Sequence, residues 1–237
     1  MIGAILLHVE PWIAENGQRI AVVRRVNKPV QPVKTMRIVL ATRNEGKVRE
    51  LQELLADENM EVLSLLDIPD WQEVKETGNT FAENAGLKAR AAARQTGLIA
   101  IADDSVLEVD ALNGAPGVYS ARFAGEPKDD ERNIDKLLDL LNDVPDPKRT
   151  ARFKCALVVA TPDGEEFQTE GAVEGRILRE RRGRGGFGYD PVFFMPDFSR
   201  TMAELSMAQK NKISHRAQAF RLALPILEHL KLKQKTD

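Results

Sequence analysis

Apolar residues first fall into a clear pattern in the segment that begins at Met36. The run MRIVLAT is short, rich in β-branched residues and bounded by polar ones, which predicts a buried strand. Apolar residues then recur at helical spacing, at Val48, Leu51, Leu54 and Leu55. The segment is therefore predicted to form a strand, a loop and a helix, an arrangement that commonly holds phosphate at the helix N-terminus.

Later segments alternate between the two periodicities. A second helix is predicted to begin at Thr80, whose hydroxyl can cap it while Glu83 reaches back, and to end near Gly97. The other predicted elements are a strand in GLIAIADDS, a helix carrying Ile134, Leu137, Leu138 and Leu141, a hairpin of ARFKCALVVA and FQTEGAVEGRIL, a strand in PVFFMP, and a closing helix from Ser214 to about Lys231 that Pro225 would kink or interrupt. This order predicts an α/β protein with a mixed central β-sheet flanked by helices.

Composition narrows the class of protein further. The 237 residues are 43% hydrophobic with a formal net charge of -2, which suits a globular protein and gives no overall attraction to nucleic acid or to an anionic membrane. No apolar run approaches the roughly 18 residues of a membrane span, and Ile2 to Val9 lacks the pattern of a secretion signal. The single cysteine, Cys155, excludes an internal disulfide and fits a reducing cytoplasm.

The stretch LATRNEGKVREL, residues 40–51, partly matches a P-loop. Gly46 and Lys47 are present, but the first glycine is missing and Val48 replaces the magnesium-binding Ser or Thr. The stretch is either a degenerate ATP site or a different phosphate-binding device.

Two carboxylates, Asp103 and Asp104, follow the apolar run IAIA, at the predicted carboxyl end of a core strand, where α/β proteins bind ligands. Adjacent carboxylates repel unless a cation compensates, and Mg²⁺ accepts one or two carboxylates together with phosphate oxygens. The pair is a candidate metal site, and a solvated turn is the alternative.

A polar cluster in ETGNTFAENAGLKA places Glu76 and Glu83 beside Asn84 and Lys88 near a predicted helix start. Asn84 and Lys88 are four residues apart and share a helix face, so they could receive an anion. An ordinary exposed polar pair is the alternative.

The stretch RRGRGGFGYDP contains a formal GxGxxG at Gly183, Gly185 and Gly188, but it leads into Pro191 and a strand, which excludes a dinucleotide fingerprint. We interpret it as a turn that presents Phe187 and Tyr189 as aromatic surfaces for a base and Asp190 as a hydrogen-bond acceptor. A glycine-rich β-turn with core aromatics is the alternative.

A local basic patch is predicted in KNKISHRAQAF. It brings together Lys210, Lys212, His215 and Arg216 at a predicted helix start. Such a cluster is often only a solvated face. His8 and His229 have no comparable neighbours and receive no role.

Several separated stretches together resemble one family: LATRNEGKVREL, ETGNTFAENAGLKA, IADDSVLEVD, GAPGVYSARFAG, GGFGYDP and KNKISHR. In this order and spacing, the chain closely resembles the non-canonical purine nucleoside triphosphate pyrophosphatases, also called inosine or xanthosine triphosphatases. The resemblance runs from Met36 to about Leu230. It implies an inosine triphosphatase-like fold, with two lobes around a substrate cleft.

The resemblance also implies an activity. Members hydrolyse ITP, dITP and XTP at the α-β phosphoanhydride with Mg²⁺, giving the monophosphate and pyrophosphate, which removes deaminated purines from the nucleotide pool. It further implies a cytoplasmic homodimer, a small-molecule nucleoside triphosphate as substrate, and no nucleic-acid or membrane partner.

Carried over by position, the family's roles fall on the motifs described above. Asp104 would be the general base and a metal ligand, with Asp103 and Glu76 as further metal ligands. The triphosphate would contact Thr42, Arg43, Asn44, Glu45, Gly46, Lys47, Ser105, Asn84 and Lys88. The nucleobase end would be Phe187, Gly188, Tyr189, Asp190, Lys210, His215 and Arg216.

The bases would be distinguished by whether purine C6 carries a hydrogen-bond acceptor or a donor. Hypoxanthine and xanthine carry an acceptor oxygen there, whereas adenine carries a donor amino group. Lys210 and Arg216 can only donate, so adenine would leave buried donors unpaired, at a cost of about 1 to 3 kcal/mol each. Guanine also has the C6 oxygen, so its rejection requires contacts with the 2-amino group.

The sequence departs from the family pattern at three places. Val106 stands where ADDSG usually has glycine, which would alter the turn beside the metal if that position has a positive φ; a nucleotide-binding protein with lowered or no turnover is therefore the alternative function. Lys75 precedes Glu76 where some relatives offer an acidic residue. Residues 1–35 have no counterpart, and VNKPVQPVKT resembles a linker; a start codon assigned too far upstream is the leading explanation and a genuine extra segment the alternative. The predicted domains are thus this extension, a catalytic domain over 36–231 and a polar tail over 232–237.

Overall fold

A computed structural model of the chain describes residues 6–13, 19–26, 35–56 and 58–234. The described residues belong to two compact units that meet between Thr35 and Met36. In the first unit, β1 (Leu6–Ile13) and β2 (Arg19–Val26) pair antiparallel, with Leu6 opposite Val26. Most of the predicted linker VNKPVQPVKT lies outside the described residues.

The second unit contains the helices and a mixed sheet. Its strands are β3 (Met36–Leu40), β4 (Met60–Ser64), β5 (Ile99–Val109), β6 (Pro116–Gly117), β7 (Thr150–Ala160), β8 (Glu166–Ile177), β9 (Phe193–Met195) and β10 (Arg200–Thr201). Its helices are α1 (Glu45–Leu55), α2 (Phe81–Thr96), α3 (Asp130–Leu140), α4 (Met207–Ile213) and α5 (His215–Lys233). Among the helices of the described ranges, none is long and apolar enough to cross a bilayer.

The sheet explains where a ligand edge can form. Within the described part of the chain it has eight strands in the order β10-β9-β8-β7-β5-β3-β4, with β6 beside β5. Strands β4, β3 and β5 run parallel, whereas β5, β7, β8 and β9 pair antiparallel. The predicted mixed α/β sheet is confirmed, and its parallel half has its carboxyl edge beside the start of α1.

Helices cover both faces of the sheet, because its central strands carry apolar side chains on both sides. Helices α1 and α5 pack on one face, where Leu51 and Phe220 join Ile38, Ile101 and Leu157. The alanine-rich face of α2 packs on the other side. A third apolar cluster joins α3 to the strand ends and to the loop before β9, so the predicted core is built in three parts.

The helix boundaries follow from capping. Thr80 and Glu83 form the predicted capping box of α2, and Gly97 ends the helix in the left-handed conformation with φ of 68°. Ser214 caps α5 by accepting from the Ala217 N–H. The expected interruption at Pro225 is wrong, since α5 continues through it to Lys233; packing of the helix face against β7 and β8 outweighs the lost hydrogen bond.

Candidate functional site

Asp103 and Asp104 lie inside a strand rather than after it. β5 continues unbroken to Val109, and its pairing with β7 places Asp103 opposite Leu157 and Asp104 opposite Ala156. The prediction that the pair terminates the strand is therefore wrong. Parallel β3, however, ends at Leu40, so both aspartates lie just beyond its carboxyl end. Since side chains alternate along a strand, the two carboxylates point to opposite faces of the sheet.

The Asp103 carboxylate is enclosed by cations on the α1 and α5 face. Its Oδ2 accepts from the Arg216 Nε and Nη2 at 3.0 Å each and lies 3.0 Å from the Lys47 Nζ. The Ser105 hydroxyl donates to the same oxygen at 3.2 Å. Burial opposes ionisation, but the charges of Arg216, Lys47 and Lys88 outweigh it and hold the Asp103 pKa far below its usual range. Asp103 is thus a buried counter-ion.

The network of ion pairs continues through Glu50, a residue that the sequence analysis did not single out. The Glu50 carboxylate pairs with the Arg216 Nη1 and lies 2.7 Å from the Lys210 Nζ. Lys210 also pairs with Asp190 at 2.5 Å. Glu50 is 1% exposed, and a carboxylate between the apolar positions Val48 and Leu51 of α1 was the available sequence signal. A solvated face, the alternative for the basic patch, is excluded at Lys210 and Arg216.

Not every member of the predicted patch joins this network. Lys212 is exposed. His215 is buried and stacks on Phe153, with ring centroids 4.8 Å apart and planes 14° from parallel. Burial, together with the neighbouring charges of Arg216 and Lys210, lowers the His215 pKa well below its usual value. His215 is therefore neutral. Its ring forms part of the wall of the site and adds no positive charge.

The two aromatic residues of GGFGYDP separate. Phe187 lines the cleft, with the Lys210 Nζ 4.7 Å and the Arg216 Cζ 5.6 Å from its ring centroid. Its ring lies against Gly46, where an added Cβ would come within 2.5 Å of the ring. Tyr189 is buried and donates to the Ser120 carbonyl at 2.8 Å. Its ring packs in the core, as the alternative proposed, and also contributes to the cavity lining, so stacking on a base stays a prediction for Tyr189.

Two carboxylates, Asp190 and Asp130, hold the backbone of that turn. Asp190 Oδ2 accepts from the Phe187 N–H at 3.0 Å as well as from Lys210, so this oxygen organises the turn. Gly188, with φ of 57°, donates its N–H to Asp130 Oδ2 at 2.9 Å. Asp130 was missed because nothing local in the sequence links it to a residue 58 positions away.

The opposite face of β5 carries a smaller cluster around one lysine. The Lys88 Nζ lies 3.1 Å from Asp104 Oδ1 and 3.0 Å from Glu76 Oε1, and it donates to the Asp103 carbonyl at 3.0 Å. Burial raises the Asp104 pKa above its usual value against the attraction of Lys88. For Glu76, burial is outweighed by Lys88 and the pKa is lowered. The predicted neighbours Glu76, Lys88 and Asp104 are brought together.

These carboxylates also define where a metal ion would bind. Asp104 and Glu76 both approach one cationic nitrogen, so their hard oxygen donors converge on a common point. Asp103 lies on the other face with its carboxylate paired to cations, which argues against it as a third ligand. In the described ranges, no three His, Cys, Asp or Glu side chains cluster as a complete metal cage.

The loop between β3 and α1 is built as a capped helix start. The Asn44 Oδ1 accepts from the N–H groups of Gly46 and Lys47 at 2.9 and 3.2 Å, and Thr42 Oγ1 accepts from the Asn44 N–H at 3.1 Å. Arg43 pairs with the exposed Glu73 at 2.8 Å. The stretch is therefore an Asn-capped turn with Lys47 directed at Asp103, which settles the P-loop question in favour of a different device.

Three predicted triphosphate residues, Gly46 among them, are not part of the cleft lining. Asn84 is 2% exposed, and its Oδ1 accepts from the Gly78 N–H at 2.8 Å, so it holds the loop before α2 and does not line the cleft. Glu45 is exposed in the first turn of α1, outside the cleft lining. Ser105 does line it, between Asp103 and Arg216.

The cleft consists of two adjoining cavities of about 110 and 240 Å³. The first includes Phe187, Lys210, His215 and Arg216. The second includes the side chains around Lys88 and Glu76, together with Thr42 and Arg43. The residues common to both are Asn44, Lys47, Asp104, Ala121 and Lys128. One end is thus aromatic and cationic, the other carries the carboxylate–lysine cluster, and Asp104 lies where they meet.

Val106 does not disturb this arrangement. It lies within β5, opposite Lys154, is 2% exposed, and is absent from the positions with positive φ in the described chain. A β-branched residue suits such an extended position. The physical basis for expecting lowered turnover from Val106 is thereby removed.

Comparison with known proteins assigns the chain to a family. Residues 38–226 match the Ham1 family model. The chain is 57% identical over 200 residues to a "dITP/XTP pyrophosphatase" of Desulforamulus reducens, covering 84% of this chain and 100% of that protein. It is 51% identical over 190 residues to a protein of the same name from Bacillus subtilis, covering 80% and 96%. The solved structure of the Staphylococcus aureus Ham1 protein matches with a TM-score of 0.71 and 46% identity, covering 81% of this chain and 98% of that one.

The chain therefore belongs to the Ham1 family. The match begins at residue 38, next to the boundary between the two compact units. The mixed sheet, the cleft and the residues matched by the family model all lie in the second unit.

Proposed function

We propose that this protein is a hydrolase that cleaves non-canonical purine nucleoside triphosphates, ITP, dITP and XTP, at the α-β phosphoanhydride. The products are the nucleoside monophosphate and pyrophosphate, and deaminated purines are thereby removed from the nucleotide pool. The observation that carries the proposal is the cleft, with an aromatic and cationic end joined at Asp104 to a carboxylate–lysine cluster. The names of the relatives at 51 to 58% identity agree with it.

The proposed metal requirement follows from the donor set. A divalent ion between Asp104 and Glu76 would take two carboxylates and complete its shell with phosphate oxygens and water, which suits Mg²⁺. When bound, the ion would neutralise phosphate charge and polarise the scissile linkage. Lys88 already binds both carboxylates, so it would move toward phosphate when the ion enters.

Phosphoanhydride cleavage needs a positioned water and neutralised charge more than a covalent nucleophile. Asp104 is suited to accept a proton from that water, because burial raises its pKa toward the range of a useful general base. Lys47 and the helix start at Asn44 would attract the triphosphate. Thr42, Arg43 and Ser105 line the same space and complete the proposed phosphate contacts.

The nucleobase would lie beside Phe187 in the aromatic half of the cleft. Lys210 has three N–H donors, one of which hydrogen-bonds Asp190, and its charge is also paired with Glu50. A donor that Asp190 does not use would suit the C6 oxygen of hypoxanthine or xanthine and could not pair with the amino group of adenine. Arg216, held by Asp103 and Glu50, sets the position of that lysine and of the ring above it.

Two further features belong to the proposal. We expect a homodimer, as the resemblance implies, and a cytoplasmic location, in keeping with the single buried cysteine.

A product assay tests the proposed reaction. The protein and Mg²⁺ are incubated with ITP, dITP, XTP, ATP and GTP, and the released anion is identified by phosphorus NMR. We expect pyrophosphate from the first three and much slower release from ATP and GTP. Orthophosphate would contradict the cleaved bond, and binding without any product would contradict hydrolysis. Omission of the metal, with chelator present, is the control for the metal requirement.

A further inference from the structure

One cation of the cleft has no role in the reaction described above. Lys128 lies on the segment between Arg122 and α3, and it is one of the few residues that line both cavities. Its side chain is 47% exposed, unlike Lys47 and Lys88, whose side chains are 14% and 16% exposed. It therefore lies on the open wall of the cleft.

The present partner of Lys128 is a weak one. Its Nζ lies 3.5 Å from Asp130 Oδ1, and that side chain is itself 34% exposed. The second oxygen of Asp130 accepts from the Gly188 N–H. An exposed pair at this distance contributes about 0 to 1 kcal/mol, so Lys128 can leave it for a more highly charged partner at little cost. Asp130 would keep its bond to Gly188.

The other cations around Asp104 are already committed. Lys47 pairs with Asp103, and Lys88 is shared between Asp104 and Glu76. A triphosphate brings several negative charges into this space. Lys128 is the lysine of the shared lining that no buried carboxylate holds.

The position of Lys128 indicates which phosphate it would reach. In a nucleoside triphosphate, the α-phosphate joins the nucleoside to the terminal phosphates. It must therefore lie where the nucleobase cavity meets the carboxylate–lysine cavity, and Lys128 lines that junction together with Asp104.

We infer that Lys128 is a substrate-binding residue that moves from Asp130 to the α-phosphate when the nucleotide binds. The inference rests on the proposed function, since it assumes a nucleoside triphosphate in the cleft. It adds an exposed cation to the lining that the two cavities share. Because Asp130 also holds Gly188, the same carboxylate connects this cation to the turn that carries Phe187.

The test compares Lys128→Gln, Lys128→Arg and a matched control, Lys148→Gln, which removes one exposed lysine charge outside the cleft lining. We expect kcat/KM for dITP to fall about tenfold in Lys128→Gln, as for loss of a charge-assisted contact, and to recover in Lys128→Arg. Lys148→Gln should match the wild type, as should the melting temperatures of all three. Raising the salt concentration should lower kcat/KM of the wild type more than that of Lys128→Gln.

Binding of the two products, a nucleoside monophosphate and pyrophosphate, tests which phosphate Lys128 contacts. Titration with inosine monophosphate should show weaker binding to Lys128→Gln than to the wild type, whereas pyrophosphate should bind both equally. Weaker pyrophosphate binding with unchanged monophosphate binding would overturn the α-phosphate assignment, and unchanged binding of both would overturn any phosphate role for Lys128. If the wild type releases no pyrophosphate from dITP, the proposed function fails instead, and that result is seen before any variant is made.

Discussion

Asp103 and Asp104 are neighbours in sequence, yet they belong to two physically different regions. On one face of β5, three cations and three carboxylates alternate in a buried network: Lys47, Asp103, Arg216, Glu50, Lys210 and Asp190. On the other face, Lys88 stands between Asp104 and Glu76. The six residues of the first region sum to zero formal charge, whereas these three sum to one negative charge, which the more distant Lys47 attracts.

This difference indicates a division of labour. A neutral, buried network balances its own charges, so it holds the aromatic end of the cleft in one arrangement before any ligand arrives. A cluster with excess negative charge favours a bound cation, and without one burial holds the Asp104 pKa above its usual value. We propose that the Asp103 region positions the substrate and that the Asp104 region takes part in the reaction.

The largest expected effect is on turnover in Asp104→Asn. Loss of the proton acceptor and metal ligand should lower kcat by about 10³-fold or more, while Lys88 keeps Glu76 as a partner and the fold is retained. Steady-state assays of dITP hydrolysis with circular dichroism measure both quantities. Near-normal turnover in this variant would remove Asp104 from the mechanism and erase the contrast with Asp103.

The next effect is on stability in Asp103→Asn. This change removes the carboxylate of Lys47 and one of the two carboxylates of Arg216, which should cost about 3 to 5 kcal/mol in the free energy of unfolding. Urea denaturation measures it, with Asp104→Asn as the matched control, for which we expect about 1 kcal/mol or less. Equal stability of the two variants would mean that the two faces are energetically alike.

The smallest effect is on the pH dependence of stability, and its sign differs between the two aspartates. The Asp103 pKa is lowered in the folded protein, so its contribution is present above the unfolded pKa, about 3.9, and is lost as the pH falls below it. The Asp104 pKa is raised, so its contribution is present below the unfolded pKa and is lost as the pH rises through the folded value.

Denaturation in chelator-containing buffer from pH 3 to pH 7 tests this reversal. The stability difference between wild type and Asp103→Asn should shrink toward low pH, and that between wild type and Asp104→Asn should shrink toward high pH, each by on the order of 1 kcal/mol. Parallel curves for the two variants would contradict the assigned directions.

The sequence by itself determined the elements that depend on near neighbours. The strand at Met36, the capping box of Thr80 and Glu83, the β7–β8 hairpin and the start of the closing helix at Ser214 follow from periodicity and capping chemistry. The sequence motifs also contain most of the residues that line the cleft, and several of them lie at helix starts. Such patterns are readable because the interacting residues are separated by a few positions.

Tertiary structure decided which charges pair and which side chains face the cleft. Arg216 meets Asp103 and Glu50 across 113 and 166 residues, and no local pattern encodes such distances. Asp103 and Asp104 point to opposite faces because β5 continues past them in its pairing with β7, which the sequence did not predict. Asn84 was assigned to the triphosphate by its motif, but its side chain is buried and accepts from the backbone N–H of Gly78.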